Sequence, residues 1–340
     1  MSGAVAAGVT IGLLRQSRST SQDLNLGGIV PFSDESTITA VTQRSLPALA
    51  SVVTDQRGQA AVGSAFAVRG DGYLVTSTSV LANAGGVSVV LARDGKRHDA
   101  RVVDFDCGSG AAVLKIDQVS GLSALGWGDS GSLRAGQTVL AMGGPVPPGA
   151  PVSRGVVSGL HRIIRIPAPL DPTRDDEFAD SIVTDARVDP GDSGGPLLNT
   201  SGQVVGILIG PSGPNQPAFA IASTAVQAAV DQIIGSGQLL VPSLATSSLE
   251  LTVEESAAKG VPVGNLLREV TPGGPAAQAG LRAGDVITQL DDARIDPGHP
   301  LSQLLRARFK PGQRVTVSYV RGGSSNQVQL TLRGEHPSCT

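Results

Sequence analysis

The sequence predicts a mainly β protein of two domains, and three observations support this prediction. Short runs rich in Val, Ile and Leu recur between clusters of Gly, Asp and Pro, as is typical of strands joined by tight turns. Glycine is abundant, with 44 residues, whereas aromatic residues make up only 3% of the chain. A Gly/Ser/Pro-rich joint at 235–248 separates the strand-rich part from a smaller segment of mixed helix and strand character, and 340 residues suffice for two domains.

The composition also limits the classes of partner. The 26 basic and 29 acidic residues are mixed, with neither a basic block nor an acidic tail. Nucleic acid is therefore not an expected partner, because a phosphate backbone is bound by clustered positive charge. The cysteines, Cys107 and Cys339, are far apart and lack metal-ligand spacing, so we expect ordinary thiols, with a disulfide between them as the alternative. No metal and no cofactor are predicted.

The first residues of the sequence have two interpretations. Residues 1–14, "MSGAVAAGVTIGLL", form an uncharged run that is shorter than the roughly 20 residues of a spanning helix and lacks a basic leader. Gly8 and Gly12 form a G-x-x-x-G pair, a weak sign of a membrane helix. The run is either the end of a longer membrane anchor or a short export signal. Residues 15–37 are polar without periodicity, so they are predicted to be a linker.

The strand-rich part follows a short helical pattern at 38–49. Gly70-Asp71-Gly72 and Asp94-Gly95 each lie between two β-rich runs, and an Asp-Gly pair in that position is a strong hairpin signal. Further strands are predicted at 111–116, 138–143, 154–160, 181–186, 204–210 and 218–222. A helix at 224–234, capped by Thr224 and followed by Gly235, ends this part. Many short strands at such spacing favour a barrel or a sandwich.

The segment beyond the joint is predicted to be a small α+β module. Its strands are expected at 265–270, 285–290, 314–320 and 326–332, and its helices at 274–281 and 300–309. The second helix places four apolar side chains on one face, those of Leu301, Leu304, Leu305 and Phe309. This face is the predicted contact of the helix with the core of the module.

The most informative motif is "DPGDSGGP" at 189–196. Pro190 restricts the backbone before Gly191, and the glycines on both sides of Ser193 permit a sharp turn. Such a turn can direct the N–H groups of Gly191 and Ser193 at one point, which is how an oxyanion hole is built. The motif therefore predicts Ser193 as a nucleophile, and a tight structural turn is the alternative.

This motif carries a resemblance to a known family. Together with the preceding "TDAR" and the following "GQVVGILIG" and "FAIA", it resembles the trypsin-fold serine endopeptidases of the HtrA (DegP-like) group, from about Ala40 to Ile234. The second module, with "LLREVTPGGPAAQAGLRAGDVI", resembles the PDZ domain of that group. The resemblance implies two six-stranded β-barrels followed by a PDZ-like domain. It also implies an extracytoplasmic location, and it leads us to favour a membrane anchor at 1–14.

The expected domains follow from the joint and the resemblance together. They are a protease-like domain at 38–234, a linker at 235–247, a PDZ-like domain at 248–334 and a tail at 335–340.

The resemblance also locates the two other catalytic positions. In the family, the strand after the Asp-Gly-Tyr turn ends in a Thr-Asn-Asn-His-Val pattern, which falls on 76–80 and puts Ser79 where the histidine is expected. The family's Asp-Leu-Ala-Val-Leu-Lys pattern falls on 110–115 and puts Gly110 where the aspartate is expected. Both the general base and the carboxylate that orients it are therefore predicted to be replaced.

No other residue is expected to act as the base. The chain has four histidines, none of which is predicted to reach the serine loop: His98, His161, His299 and His336. Asp104 and Asp106 precede the missing aspartate but have no imidazole to orient. Lys115 belongs to the family's strand and is expected to be solvated.

The PDZ-like module differs from its family at the peptide-binding loop. Where the family has Leu-Gly and an apolar residue, this chain has Leu249, Glu250 and Leu251. A negative side chain is unfavourable beside a peptide carboxylate, so we expect backbone recognition of peptides rather than of free C-termini. The alternative is a module that packs against the first domain.

These observations predict a pseudoprotease, because the loss of a Ser-His-Asp unit costs on the order of a millionfold in turnover. We expect it to bind extended peptides or unfolded proteins in a regulatory or chaperone-like role in protein quality control. Residues 204–210 and 219–222 would line a cleft that accepts a peptide by strand addition. Active HtrA homologues and further copies of the chain are the other expected partners. An active endopeptidase that uses Ser193 with an unconventional base, and a purely structural role, are the alternatives.

Overall fold

The computed structural model describes residues 35–56, 59–81, 84–146, 151–167, 175–210, 217–297 and 301–337. The described chain is mostly β and forms two closed six-stranded barrels followed by a small α+β domain, so the predicted fold class is confirmed. The run at 1–14, interpreted as an anchor or export signal, lies outside the described residues, as does most of the predicted linker at 15–37.

The first barrel follows helix α1 (Glu35–Ser45) and a 3-10 turn (Leu46–Ala48). Its strands are β1 (Leu49–Gln56), β2 (Gln59–Ala67), β3 (Tyr73–Ser77), β4 (Ala84–Leu91), β5 (Arg97–Asp106) and β6 (Ala111–Lys115), with the short helix α2 (Thr78–Leu81) after β3. They close in the order β1-β2-β3-β6-β5-β4. Both predicted hairpins, β2–β3 and β4–β5, are confirmed by antiparallel pairing. The predicted helix at 38–49 ends at Ser45, because Pro47 favours the 3-10 turn that leads into β1.

The second barrel holds the serine loop. Its strands are β7 (Thr138–Met142), β8 (Val152–Pro167), β9 (Asp175–Thr184), β10 (Pro196–Asn199), β11 (Val204–Ile209) and β12 (Ala218–Ala222), in the order β10-β11-β12-β9-β8-β7. Strand β11 pairs with β10 on one side and β12 on the other, and β12 pairs with β9. Strand addition is excluded along Gly206–Leu208 and Phe219–Ile221, because both edges of these residues are already hydrogen-bonded. Ile209 and Gly210 lie beyond the pairing with β10, so the predicted cleft along 204–210 and 219–222 stays a prediction there.

Helix α3 (Ser223–Ser236) packs against both barrels, and its ends differ from the prediction. It begins at Ser223, whose buried hydroxyl donates to the Gly128 carbonyl (2.6 Å), so Thr224 is not the cap. Gly235 lies inside the helix, and Gly237, with a φ of 78°, ends it. A left-handed residue after the last turn is a common helix stop, and glycine adopts it without a steric penalty.

The α+β domain begins with β13 (Val241–Ser243), which pairs with the final strand of the domain. The remaining elements are β14 (Thr246–Glu250), α4 (Val253–Lys259), β15 (Asn265–Val270), α5 (Pro275–Gln278), β16 (Val286–Leu290), β17 (Ala293–Arg294), α6 (Leu301–Arg308), β18 (Arg314–Arg321), β19 (Ser324–Thr331) and β20 (Arg333–Glu335). The sheet order is β14-β15-β16-β18-β19, which places β14 at an edge. The predicted apolar face at 301–309 is confirmed, since its four residues lie in the core of this domain.

Candidate functional site

Ser193 lies in a loop that both barrels hold in place. The 3-10 helix Pro190–Asp192 precedes it, and β10 begins just beyond it. Ser64 of β2 in the first barrel donates its N–H to the Ser193 carbonyl (2.8 Å) and its hydroxyl to the Gly191 carbonyl (2.7 Å). The serine is therefore fixed at the junction of the barrels, and its side chain is half-buried.

The predicted replacement for the base, Ser79, lies beside the serine. It belongs to α2, directly after β3, and its Oγ lies 3.3 Å from the Ser193 Oγ. The Ser79 Oγ also contacts the Ser77 Oγ, and the Gly210 N–H donates to the Ser193 Oγ (3.3 Å). Over the described ranges, no imidazole or carboxylate is hydrogen-bonded to Ser193. A hydroxyl is a poor proton acceptor at neutral pH, so these contacts position Ser193 without activating it.

Ser77 is a member of this hydroxyl cluster that the sequence reasoning missed. Its side chain is buried, and besides contacting the Ser79 Oγ it accepts the Ser79 N–H (3.2 Å). The alternation of Thr and Ser at 76–79 was the available signal, because polar residues at a strand end often bond to the backbone of the next turn.

Gly110, the predicted replacement for the aspartate, lies next to the same cluster. Its carbonyl accepts the N–H of Thr78 (2.9 Å), and it immediately precedes the pair formed by Ser77 and Ala111. Its φ is +69°, and a Cβ added to it would lie 2.5 Å from the Cε1 of Phe178. The position therefore has no carboxylate, and the Phe178 ring fills the space that a side chain would need.

The oxyanion hole expected from Gly191 and Ser193 is not formed in this conformation. The Ser193 N–H donates to the Pro190 carbonyl (3.3 Å) within the 3-10 turn. Because the C=O and N–H of a trans peptide point in opposite directions, the Gly191 N–H is directed away from that of Ser193. This corrects the prediction, because the N–H groups of Gly191 and Ser193 do not point at one place. The Pro190 carbonyl oxygen accepts the Ser193 N–H that was expected to bind the oxyanion.

The residue before the nucleophile position also has a structural role. Asp192 is buried, and its carboxylate accepts the N–H of Asp189 (2.8 Å), which caps the 3-10 turn. Burial raises the pKa of Asp192, and the hydrogen bond from Asp189 opposes this shift. This carboxylate therefore stabilises the loop and is not an acid–base partner of the serine.

The other titratable candidates are engaged elsewhere. Within the described chain, three histidines pair with aspartates at 2.7–3.2 Å: His98 with Asp94, His161 with Asp180, and His336 with Asp104. The fourth, His299, lies outside the described residues. Lys115 is not solvated as predicted, because its side chain is only 14% exposed and its Nζ donates to two backbone carbonyls.

Asp104 and Asp106, which precede the position predicted for the aspartate at Gly110, connect the two domains. The Asp106 carboxylate, whose side chain is 3% exposed, accepts two hydrogen bonds from Nη1 of Arg306 on α6 (2.8 and 2.9 Å). Asp104 contacts Nε2 of His336 (2.7 Å) and accepts the Leu239 N–H (2.6 Å). Burial raises the pKa of Asp104, but these hydrogen bonds outweigh it and lower the pKa overall. We call the side chains of Asp104, Asp106, Arg306 and His336 the domain clamp.

The predicted peptide-binding residues of the α+β domain occupy different environments. Leu251 is fully buried, and its N–H donates to the Gly264 carbonyl (3.0 Å), so it is not available to a peptide. Leu249 and Glu250 end the edge strand β14, and Glu250 is exposed. Burial is the main cause that raises the pKa of Glu250, with contributions from the nearby Glu177 and Asp296. An anionic C-terminus would meet negative charge at this end of β14.

Three further observations concern metals, membranes and cysteines. No group of three or more His, Cys, Asp or Glu side chains that could hold a metal ion occurs in the described ranges. None of the helices in the described part of the chain has the length and apolar character needed to span a bilayer. Cys107 is disulfide-bonded, which corrects the expectation of an ordinary thiol, and Cys339 lies outside the described residues.

Comparisons with known proteins agree with this architecture. A trypsin-like peptidase domain profile matches residues 63–207, and a PDZ domain profile matches residues 247–332. The serine protease Do-like HtrB of Bacillus subtilis is 32% identical over 278 residues, which are 76% of this chain and 59% of that protein. A probable periplasmic serine endoprotease, DegP-like, of Halomonas elongata is 33% identical over 282 residues, or 81% of this chain and 57% of that protein. The chain thus spans less than two thirds of the length of these relatives.

A solved structure is similar to this chain in its three-dimensional fold. The HtrA-type protease AlgW with a tripeptide superposes with a TM-score of 0.68 at 30% sequence identity. The match covers 88% of this chain and 98% of that chain. It therefore extends over both domains.

Proposed function

Since this chain belongs to the family of HtrA-type serine endopeptidases with a C-terminal PDZ domain, we propose that it is a homologue without peptidase activity that holds extended peptides. The proposal rests on the side chain beside Ser193. The Ser79 Oγ lies 3.3 Å from the Ser193 Oγ, at the place where peptide hydrolysis requires a base. Loss of a Ser-His-Asp unit lowers turnover on the order of a millionfold, so the remaining serine does not sustain proteolysis.

Two further features support the absence of peptidase activity. Gly110 has no side chain to orient an imidazole, and the Phe178 ring fills the adjacent space. The Ser193 N–H is hydrogen-bonded to Pro190, so a tetrahedral intermediate would find one of its expected donors occupied. The base and the orienting carboxylate are thus replaced and one oxyanion donor is occupied, so a single substitution would not restore the reaction.

The edge strand β14 supports the peptide-holding part of the proposal. Its inner side pairs with β15, and it is the terminal strand of its sheet. An extended peptide can add to such an edge through main-chain hydrogen bonds, whereas Gly206–Leu208 of β11 and Phe219–Ile221 of β12 are paired on both sides. The exposed Glu250 disfavours an anionic terminus there, so the proposed ligand is an internal stretch of an unfolded chain.

The setting of this activity is part of the same proposal. The relative from Halomonas elongata is described as periplasmic, which supports an extracytoplasmic location for this chain. Unfolded proteins in that compartment are the proposed partners, together with active homologues and further copies of the chain, in a regulatory or chaperone-like role.

Three measurements on the purified protein test the proposal. We expect no cleavage of casein and no labelling of Ser193 by a fluorophosphonate probe, while reduced, carboxymethylated casein still binds. The matched control is Ser193→Ala, which should bind to the same extent because the hydroxyl is not part of the binding edge. Casein cleavage that Ser193→Ala abolishes would overturn the loss of activity. No binding to a library of extended peptides would overturn the holding role.

A further inference from the structure

Cys107 has no part in the proposed function, yet it lies where the two domains meet. It belongs to the turn at 107–110, which joins β5 to β6, and it is half-buried and disulfide-bonded there. The sequence has two cysteines, and the other one, Cys339, lies outside the described residues. Cys339 is therefore the one residue of this chain that can complete the disulfide.

The segment before Cys339 already contacts the segment before Cys107. The Nε2 of His336 lies 2.7 Å from the Oδ1 of Asp104, and the His336 ring packs edge-on against Phe105 with 6.2 Å between the ring centroids. Each cysteine follows one member of the pair of Asp104 with His336 by three positions in the sequence. Three extended residues span about 10 Å, and the Cα atoms of a disulfide lie about 4–7 Å apart. The chain beyond His336 is therefore long enough to bring Cys339 to Cys107.

The turn that carries Cys107 is itself a contact surface for the α+β domain. The Asp106 carboxylate accepts the hydrogen bonds from Arg306 and a further one from the Gly108 N–H (3.1 Å). A Cβ added to Gly108 would lie 2.9 Å from the Cζ of Arg306, so the guanidinium group lies directly against the turn. A disulfide at Cys107 thus adds a covalent bond at the place where the domain clamp holds the domains by noncovalent contacts.

We propose that Cys107 and Cys339 form a disulfide that locks the α+β domain onto the first barrel, and that a dithiol reductant opens this lock. In the oxidised chain, the disulfide keeps the domains together even when Arg306 and His336 leave their carboxylates. In the reduced chain, the domains can move apart whenever these contacts break. This movement would uncover Phe178 and Phe309, which line a cavity between the domains.

Both directions of this step are thiol–disulfide exchange. Formation passes two electrons and two protons from the cysteine thiols to a disulfide oxidant, which becomes two thiols. For opening, one thiolate of the dithiol attacks a cysteine sulfur and breaks the S–S bond, and the second thiolate then displaces the mixed disulfide. The cysteines leave as thiols, and the reductant ends as a cyclic disulfide. Cys107 lies beside the exposed Gly108, and accessible disulfides are the more easily reduced ones.

Chemical cleavage tests the pairing on the full chain after incubation with oxidised glutathione. Cyanogen bromide cleaves after methionine, and the sequence has Met142 as its single methionine besides Met1. The cut separates Cys107 from Cys339. On a non-reducing gel the cleaved protein should therefore stay in one piece near the position of the intact chain, and dithiothreitol should release two fragments. Two fragments without dithiothreitol, or a cross-linked dimer of the uncleaved chain, would overturn the pairing.

Hydrogen exchange followed by mass spectrometry tests the lock on the unmodified chain. Exchange at 104–110 and in α6 should become at least about tenfold faster on reduction with dithiothreitol, because the loss of a cross-link over a long loop shifts an opening equilibrium by at least this factor. Strand β7, in the core of the second barrel, should not change. Equal exchange in the oxidised and reduced chain, or an equal rise in β7, would overturn the lock.

Two variants separate the disulfide from other effects of the reductant. Cys339→Ser should exchange like the reduced protein whether or not dithiothreitol is present. The neighbouring Ser338→Ala should keep the response of the unmodified chain. A response to dithiothreitol in Cys339→Ser would show that the reductant acts elsewhere and would overturn the proposal.

Discussion

The cleft around Ser193 and the domain clamp are built from opposite kinds of contact, although the same part of the first barrel contributes to both. In the cleft, the neutral hydroxyls of Ser79 and Ser193 lie 3.3 Å apart, and Gly110 is at the position where a carboxylate is expected. At the clamp, Asp104 and Asp106, a few residues earlier, bind His336 and Arg306 at 2.7–2.9 Å. The charged side chains of this segment therefore serve domain association, and none of them serves the serine.

Under the proposed function, this difference explains how a hydrolase fold can keep its architecture without its reaction. The hydrogen bonds from Ser64 that hold the serine loop do not depend on a base, so the loop keeps its position when the base is replaced. A proton relay, in contrast, needs a specific side chain at each position and fails when one is missing. The clamp depends on a buried carboxylate, which is tolerated only while its cationic partner is present.

The largest expected effect comes from rebuilding the relay. Ser79→His with Gly110→Asp should remain almost inactive, because the aspartate would meet the Phe178 ring at 2.5 Å from its Cβ. Adding Phe178→Ala should raise the hydrolysis of a chromogenic ester on the order of a hundredfold over the double variant, since the orienting carboxylate contributes on the order of 10⁴ in kcat. Asp tolerates the positive φ of position 110 better than most residues do.

This rebuilding has a clear control and a clear contrary result. Ser193→Ala in the triple variant should abolish the gained rate. Because removing a buried aromatic ring costs about 3–5 kcal/mol, Phe178→Leu serves as a second, milder variant, and circular dichroism verifies the fold. Equal rates for the double and triple variants would show that the ring does not obstruct the site.

A smaller effect is expected at the domain clamp. Arg306→Ala leaves the buried Asp106 carboxylate without its cation and should destabilise the protein by about 3 kcal/mol. Arg308→Ala is a matched control on the same helix, since Arg308 pairs with the exposed Asp292 and its loss should leave the urea midpoint almost unchanged. Urea denaturation followed by circular dichroism measures both. If the two variants unfold at the same urea concentration, the pair of Arg306 with Asp106 is not stronger than the pair of Arg308 with Asp292.

The smallest expected effect concerns Glu250 at the end of β14. Glu250→Gln should increase the affinity for peptides with a free C-terminus about fivefold, with no change for amidated peptides, because it removes one negative charge. Fluorescence polarisation with a matched pair of peptides measures this. The exposed Glu254→Gln should leave both affinities unchanged. An equal gain for both peptides would contradict an electrostatic cause.

The pH dependence of the same site follows from the raised pKa of Glu250. Its ordinary value is 4.5, and burial, then Glu177 and Asp296, raise the value in the folded protein. The neutral form is therefore favoured on folding, and this contribution to stability is complete below pH 4.5 and is lost as the pH rises through the folded value. A peptide carboxylate ionises near pH 3.5 and stays charged in this range. Binding of free C-termini should therefore strengthen as the pH falls towards 4.5, and Glu250→Gln should lack this dependence.

The fold and the place of the serine follow from the sequence alone. Local patterns carry this information: Asp-Gly turns fix the β2–β3 and β4–β5 hairpins, and helical periodicity fixes the buried face of α6. The loop "DPGDSGGP" and its match to a family identified Ser193. The residues around Ser79 and Gly110 match the family's patterns without gaps, which marked these two residues as the expected positions of the histidine and the aspartate.

The surroundings of these positions depend on tertiary packing. The Phe178 ring against Gly110 and the pair of Asp106 with Arg306, 200 positions apart in the chain, join residues that no local pattern relates. The direction of the Pro190 carbonyl and the pairing of Gly206–Leu208 of β11 on both sides are likewise set by backbone conformation and strand pairing. A sequence pattern reports the local preferences of the chain, whereas these contacts arise only when distant segments pack against each other.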